Sequence, residues 1–130
     1  MKNLLMASYW IGIVADAISA LLLFSPRFAE IILNPRPFEI SDAYLYVSRI
    51  GGTLVAGWTV LLFWAQKKPV ERVDILLITV FPVITLLTVF AVLAVNSNHI
   101  SFQRMLSIFI LYLIIIPTYI TSYLWAKKQQ

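Results

Sequence analysis

Apolar residues fill four long stretches of the chain, and most polar and charged residues collect between them. The stretches cover residues 4–24, 44–65, 75–95 and 105–126. Each can cross a bilayer, because a hydrocarbon core of about 30 Å needs roughly 20 apolar residues in a helix. Lipid offers the backbone no hydrogen-bond partner, so each stretch must be helical. The pattern predicts an all-α fold, a single-domain integral membrane four-helix bundle of up-down topology over residues 1–130.

The connection between the first two stretches, residues 25–41, carries helix signals of its own. Ser25 is a good N-cap, and Pro26 follows at the first helical position. A short amphipathic helix is therefore predicted at about 26–33, lying along the membrane interface, with a proline-rich return over 34–37. Two interpretations stay open for this helix: a lid over a cavity in the bundle, or a connector that prefers the interface.

The composition agrees with a membrane protein and narrows the chemistry. The chain is 61% hydrophobic and 12% charged, about half the charge of a soluble domain. Its net charge of +4 forms no basic stripe with interleaved aromatics, so nucleic-acid binding is not expected. Cysteine is absent and His99 is the only histidine, so neither a metal site nor a cofactor is expected.

Basic residues are distributed unevenly between the two sides of the predicted bundle. The side with both termini carries six of them and the other side three, and short cytoplasmic loops are usually the more basic. We therefore predict that both termini are cytoplasmic. The six are Lys2, Lys67, Lys68, Arg72, Lys127 and Lys128, and the three are Arg27, Arg36 and Arg104.

Two charged residues fall inside predicted spans. Asp16 lies about 12 Å and Arg49 about 8 Å below the outer boundary, at 1.5 Å per residue. Both occur in series of small residues spaced by four, which favour close helix packing. An unpaired charge at this depth is costly, so an intramembrane Asp16–Arg49 ion pair is predicted. The alternative is a proton- or substrate-linked carboxylate whose ionisation depends on Arg49.

Prolines inside the third and fourth spans, Pro82 and Pro117, predict kinks. Hydroxyl side chains around them have two interpretations. They repair the backbone that proline leaves unpaired, or they help to line a polar, aromatic pocket for an amphiphile between the kinked helices. The candidate lining residues of that pocket are Ser19, Thr85, Tyr112, Tyr119 and Tyr123.

The sequence lacks the motifs of known catalytic sites, including phosphate-binding loops, serine elbows and His–carboxylate pairs. We therefore expect no catalytic residues and favour a non-enzymatic partner subunit or binder of a lipophilic ligand. A small dimeric transporter or channel that uses Asp16 stays open, as does a membrane-embedded enzyme that acts on a lipid-soluble substrate. The sequence leaves open whether the chain forms a homodimer.

Two segments of the first half resemble a known family. They are residues 21–26 (LLLFSP) and 46–52 (YVSRIGG), separated by the short amphipathic stretch. They resemble the small four-helix bacterial membrane proteins grouped as DoxX-like. The resemblance implies a four-helix architecture and a bacterial or archaeal cell membrane, with no established activity to carry over.

Overall fold

The computed structural model describes residues 1–35 and 39–130 and is helical nearly throughout. The four predicted spans are confirmed, and each extends one to three residues beyond at least one of its predicted ends. The third span consists of α4, a π-helical turn and α5. In chain order, the elements are α1 (Lys2–Phe24), α2 (Pro26–Leu33), α3 (Asp42–Ala65), α4 (Asp74–Ile78), the π-helical turn (Thr79–Ile84), α5 (Thr85–Asn96) and α6 (Phe102–Lys127).

The outward faces of the spans are strongly apolar. Four helices are long and apolar enough to cross a membrane, and at most 28% of the most apolar window of any of them is buried inside the bundle. Large side chains such as Leu54 and Leu113 are 70% and 72% exposed. A soluble protein rarely leaves such continuous apolar surface in water. The chain is therefore a multi-pass membrane protein whose outer surface faces lipid.

Helix α1 lies between α3 and α6 and packs closely on both. Its contact with α3 is the most extensive in the fold. At one end of this antiparallel pair, the ring of Phe24 packs on Gly52, and the Ser48 hydroxyl donates a hydrogen bond to the Leu23 carbonyl. Farther along, Gly12 faces Leu62. Glycine and serine allow this approach because their side chains add little bulk between the backbones.

The third span bends at Pro82, which confirms the kink predicted there. The Phe81–Pro82 peptide is cis, and Phe81 has non-helical dihedral angles (φ −123°, ψ 109°). Hydroxyl groups bond the nearby carbonyls: Thr85 Oγ1 donates to Val80 O at 2.9 Å, and Thr79 Oγ1 to Ile75 O at 2.7 Å. These bonds agree with the interpretation of backbone repair.

Helix α6 runs unbroken through Pro117, so the second predicted kink does not interrupt the helix. Thr118 and Thr121 each donate a hydroxyl hydrogen bond to a carbonyl of the preceding turn, to Ile114 O at 2.8 Å and to Pro117 O at 2.7 Å. Such local bonds allow proline inside a membrane helix.

Helix α2 covers one end of the bundle, which we call the α2 end; the other end, with both chain termini, is the terminal end. The bounds of α2 confirm the helix predicted at 26–33, with Ser25 at the N-cap and Pro26 in the first turn. At its C-terminus, Arg104 of α6 donates to Ile31 O at 3.0 Å and to Ile32 O at 3.3 Å. A cation is favourable there, so Arg104 anchors α2 to α6. The predicted return over 34–37 lies partly outside the described residues.

The terminal end is closed by a well-bonded loop between α3 and α4. The Tyr9 hydroxyl of α1 donates to the carbonyls of Pro69 and Arg72 at 3.2 and 3.1 Å. Lys68 Nζ lies 2.8 Å from Glu71 Oε2, and this hydrogen bond lowers the pKa of the Glu71 carboxyl. The two Tyr9 hydrogen bonds fix the loop to the first span, and the Lys68–Glu71 pair lies within the loop itself.

The Ser8–Ser122 hydrogen bond (2.9 Å) joins α1 to α6 and is fully buried, so its energy can be measured. In a double-mutant cycle, Ser8→Ala and Ser122→Ala should show a coupling of about 0.6 to 1.7 kcal/mol, the range of interhelical hydrogen bonds in membranes. Unfolding in detergent by steric trapping provides the measurement.

The control cycle pairs Ser8→Ala with Thr53→Ala, because the exposed Thr53 hydroxyl donates to Arg49 O of its own helix α3 and shares no acceptor with Ser8. That control pair should be additive. Additivity of the Ser8 and Ser122 substitutions would show that this contact does not stabilise the α1–α6 packing.

Candidate functional site

A cavity of about 280 Å³ lies between α1, the third span and α6. Helix α3 contributes no residue to its wall, and Ile32 of α2 closes it at the α2 end. Most of the lining is aliphatic. The side chains and backbone that give it chemical character are those of Gly12, Asp16, Ser19, Thr79, Tyr112 and Tyr119.

Tyr119 projects from α6 and places its hydroxyl against the backbone of α1. The side chain is 1% exposed, and a Cβ atom added to Gly12 would lie 2.0 Å from the phenolic oxygen. Only glycine therefore leaves space for the hydroxyl at this point. Among residues 1–35 and 39–130 that hydroxyl has no hydrogen-bond partner, which is unusual for a buried polar atom.

Asp16 lies one helical turn from Gly12 on the same face of α1, and its carboxyl lines the cavity. Its Oδ2 atom is buried and has no partner within the described part of the chain. The hydroxyls of two other lining residues are already bonded: Ser19 Oγ donates to Ala15 O at 2.8 Å, and Thr79 Oγ1 accepts from Trp58 Nε1 at 3.2 Å. Asp16 Oδ2 and the Tyr119 hydroxyl are therefore the buried side-chain atoms of the site that have no hydrogen-bond partner in the described part of the chain.

The predicted Asp16–Arg49 ion pair is not formed in the described structure, where the salt bridges are Lys68–Glu71 and Lys127–Asp74. Arg49 is exposed and lines a groove on the outside of α3. Its neighbour Ser48 contacts Leu23, so Arg49 lies near the α2 end of α1, roughly 10 Å from the level of Asp16. The sequence prediction placed the two charges at similar depth and on facing surfaces, and both assumptions were wrong.

The structure places three of the five predicted lining residues on this cavity. Ser19, Tyr112 and Tyr119 line the cavity. Thr85 does not: it is exposed on α5, and its hydroxyl is bonded to Val80 O. Tyr123 also lies outside the lining, with Lys127 Nζ 5.9 Å from the centre of its ring.

Most of the aliphatic wall was not predicted, and neither were Gly12 and Thr79, whose places in the lining bear on its chemistry. Gly12 belongs to the series of small residues spaced by four that includes Asp16, and this spacing indicates packing but not that the glycine leaves space for a tyrosine hydroxyl. Thr79 is one of the hydroxyl side chains near Pro82, and the uniformly apolar sequence of the span does not show which way it faces. The sequence contains no further pattern that would have identified either residue as part of a cavity.

No group of three or more His, Cys, Asp or Glu side chains that could hold a metal ion occurs in the described ranges 1–35 and 39–130.

No protein-family model matches this chain, and neither a curated protein nor a solved structure is significantly similar to it. The functional argument therefore depends on the cavity itself.

The Gly12–Tyr119 contact predicts a specific pattern of stability. Gly12→Ala should destabilise the bundle by about 1 to 3 kcal/mol, because the new methyl group overlaps the Tyr119 oxygen. In a Tyr119→Phe background the same substitution should cost clearly less, since the overlapping atom is gone. Unfolding in detergent measures all four proteins.

Gly57→Ala is the matched control, because a Cβ at Gly57 would have no neighbour within 4 Å. It should not destabilise the bundle, and any gain from the higher helix propensity of alanine, up to about 1 kcal/mol, should be equal in both backgrounds. An equal cost of Gly12→Ala with and without the Tyr119 hydroxyl would contradict the contact described here.

Proposed function

We propose that this chain is a non-enzymatic membrane protein that binds a lipophilic ligand in the cavity between α1, the third span and α6. The observation that carries the proposal is the combination of an aliphatic cavity with two polar atoms, Asp16 Oδ2 and the Tyr119 hydroxyl, that have no partner in the described structure. Binding sites for small molecules are typically apolar pockets with a few convergent polar groups. A bound polar group would satisfy both atoms.

The size of the cavity supports a small ligand. An apolar cavity of about 150 Å³ in another protein holds benzene, so about 280 Å³ gives room for a two-ring molecule or a short alkyl chain. A larger amphiphile fits only if part of it extends beyond the cavity.

A transporter that uses Asp16 has less support. On the terminal side of the cavity, Tyr9, Leu62 and Leu76 are fully buried and belong to one packed core. A continuous path across the bundle would require these side chains to separate. A cavity that is closed on this side suits retention of a ligand better than its passage.

The cellular setting is part of the proposal. The excess of basic residues at the terminal end supports a location of both termini in the cytoplasm. The DoxX-like resemblance supports a bacterial or archaeal cell membrane. Membership of the DoxX-like group is proposed on the same footing, from the segments at 21–26 and 46–52.

Filling the cavity should abolish binding. The neutral fluorophore N-phenyl-1-naphthylamine is a suitable probe, titrated into protein reconstituted in lipid nanodiscs. Ser19→Leu adds bulk to the cavity wall. It should raise the Kd of the saturable binding, read from the fluorescence, at least about tenfold, which corresponds to roughly 1.4 kcal/mol. Thr53→Leu makes the same kind of change on the exposed outside of α3 and should bind the probe like the unchanged protein. Equal binding by both variants would refute the cavity as the ligand site.

The proposed orientation can be tested separately, since the chain contains no cysteine. Ser97→Cys places a thiol in the turn between α5 and α6, and Lys128→Cys places one at the end of α6. A membrane-impermeant maleimide should label the first variant in intact cells and the second only after lysis. The reverse labelling pattern would show that the termini lie outside.

A further inference from the structure

The cavity and a groove on the outside of the bundle share an apolar wall between α1 and α6. Ala15, Ile18 and Leu111 line both, and Ile18 is 47% exposed. The other residues of the groove, Trp10, Ile11 and Val14, are also apolar. Movement of the three shared side chains would make an opening through which a molecule could pass from the hydrocarbon core into the cavity without crossing a polar surface.

The polar end of the cavity lies too deep for a phospholipid headgroup. Asp16 is eight residues from the end of α1 at Phe24 and fourteen from its start at Lys2. These separations correspond to about 12 Å and about 21 Å along the helix. A ligand that reaches Asp16 must carry its polar group into the membrane interior, which favours a small uncharged group.

The lining also selects the kind of polar group. Among residues 1–35 and 39–130, no Lys, Arg or His contributes to the cavity wall, so these residues offer no counter-charge to an anionic group beside Asp16. Asp16 and Tyr119 act about one helical turn apart, through the contact of Tyr119 with Gly12. A hydroxyl can donate one hydrogen bond and accept another at the same oxygen. It can therefore serve a carboxyl and a phenol together while remaining neutral.

From this geometry we infer that the ligand of the proposed site is a neutral lipophile with a hydroxyl group, which enters sideways from the hydrocarbon core between α1 and α6. The hydroxyl binds at Asp16 and Tyr119, and the apolar tail extends through the opening at Ile18 and Leu111 into the outer groove. This inference rests on the proposed function, because it names the ligand class and the route for the same cavity.

Photolabelling in phosphatidylcholine nanodiscs tests both parts. The probe is dodecan-1-ol with a diazirine on its tail. Three matched probes carry the diazirine on a dodecane without hydroxyl, on dodecylamine, and on the acyl chain of phosphatidylcholine. The labelled residues are located by mass spectrometry, with the lipid-facing Leu54 of α3 as the internal reference.

The alcohol probe should label the α1–α6 opening, at Ile18 and Leu111, about five-fold more than Leu54, the effect expected of one hydrogen bond. The other three probes should show no such preference. Tyr119→Phe should reduce the preference of the alcohol probe severalfold, whereas Tyr46→Phe, on the exposed face of α3, should leave it unchanged. Tyr119→Phe removes only an unpartnered hydroxyl, so the variant should still fold.

The remaining outcomes separate the inference from the function on which it rests. Equal or stronger labelling of the opening by the hydrocarbon or amine probe would overturn the hydroxyl class but leave a binding cavity. Labelling by the alcohol at Ile32 and Ser107, near the α2 end, would overturn the sideways route. If no probe labels any cavity residue above the level of Leu54, and Ser19→Leu does not affect N-phenyl-1-naphthylamine binding, the proposed function fails as well.

Discussion

Close packing of α1 against two neighbours at once is the interaction on which the rest of this bundle depends. In lipid no hydrophobic driving force brings helices together, so van der Waals contact and interhelical hydrogen bonds must do so. Small residues on both sides of the contacts make this possible: Gly52 receives the Phe24 ring, and Gly12 receives the Tyr119 hydroxyl. The buried Ser8–Ser122 hydrogen bond adds a polar link between α1 and α6.

The same packing leaves space on the other side of α1. The third span contacts α6 along all three of its segments but has little contact with α1. Its π-helical turn, with the non-helical Phe81, changes direction beside this space and contributes Thr79 and Ile84 to the cavity wall. Helix α2, anchored by Arg104, closes the α2 end. The cavity is therefore a consequence of how three helices and a bend are arranged, and no single motif encodes it.

This origin explains what the sequence could predict. The spans, the helix after Ser25-Pro26 and the bend at Pro82 follow from local rules of length, capping and proline geometry, and all were predicted correctly. The positions of Thr85 and Arg49 depend on how each helix is rotated about its axis, and on the register of α3 against α1. In helices that are apolar on every side, hydrophobic periodicity carries almost no information about rotation. The predicted ion pair and part of the predicted lining were wrong for this reason.

Because Asp16 and Arg49 do not pair, the environment of each side chain must be considered separately. Side chains in a helix point toward its N-terminus, which for α3 is at the α2 end. Arg49 can therefore extend toward the nearby interface and reach polar headgroups. The N-terminus of α1 lies at the terminal end, so the short Asp16 side chain points away from its nearer interface. Burying a carboxyl there costs about 3 kcal/mol on insertion scales, and the described structure shows no internal bond to Oδ2 that offsets this. A buried carboxyl whose energetic cost is not offset by bonds within the protein is typical of a functional group. Asp16 also lies on the wall of the cavity, where a ligand could bind to it.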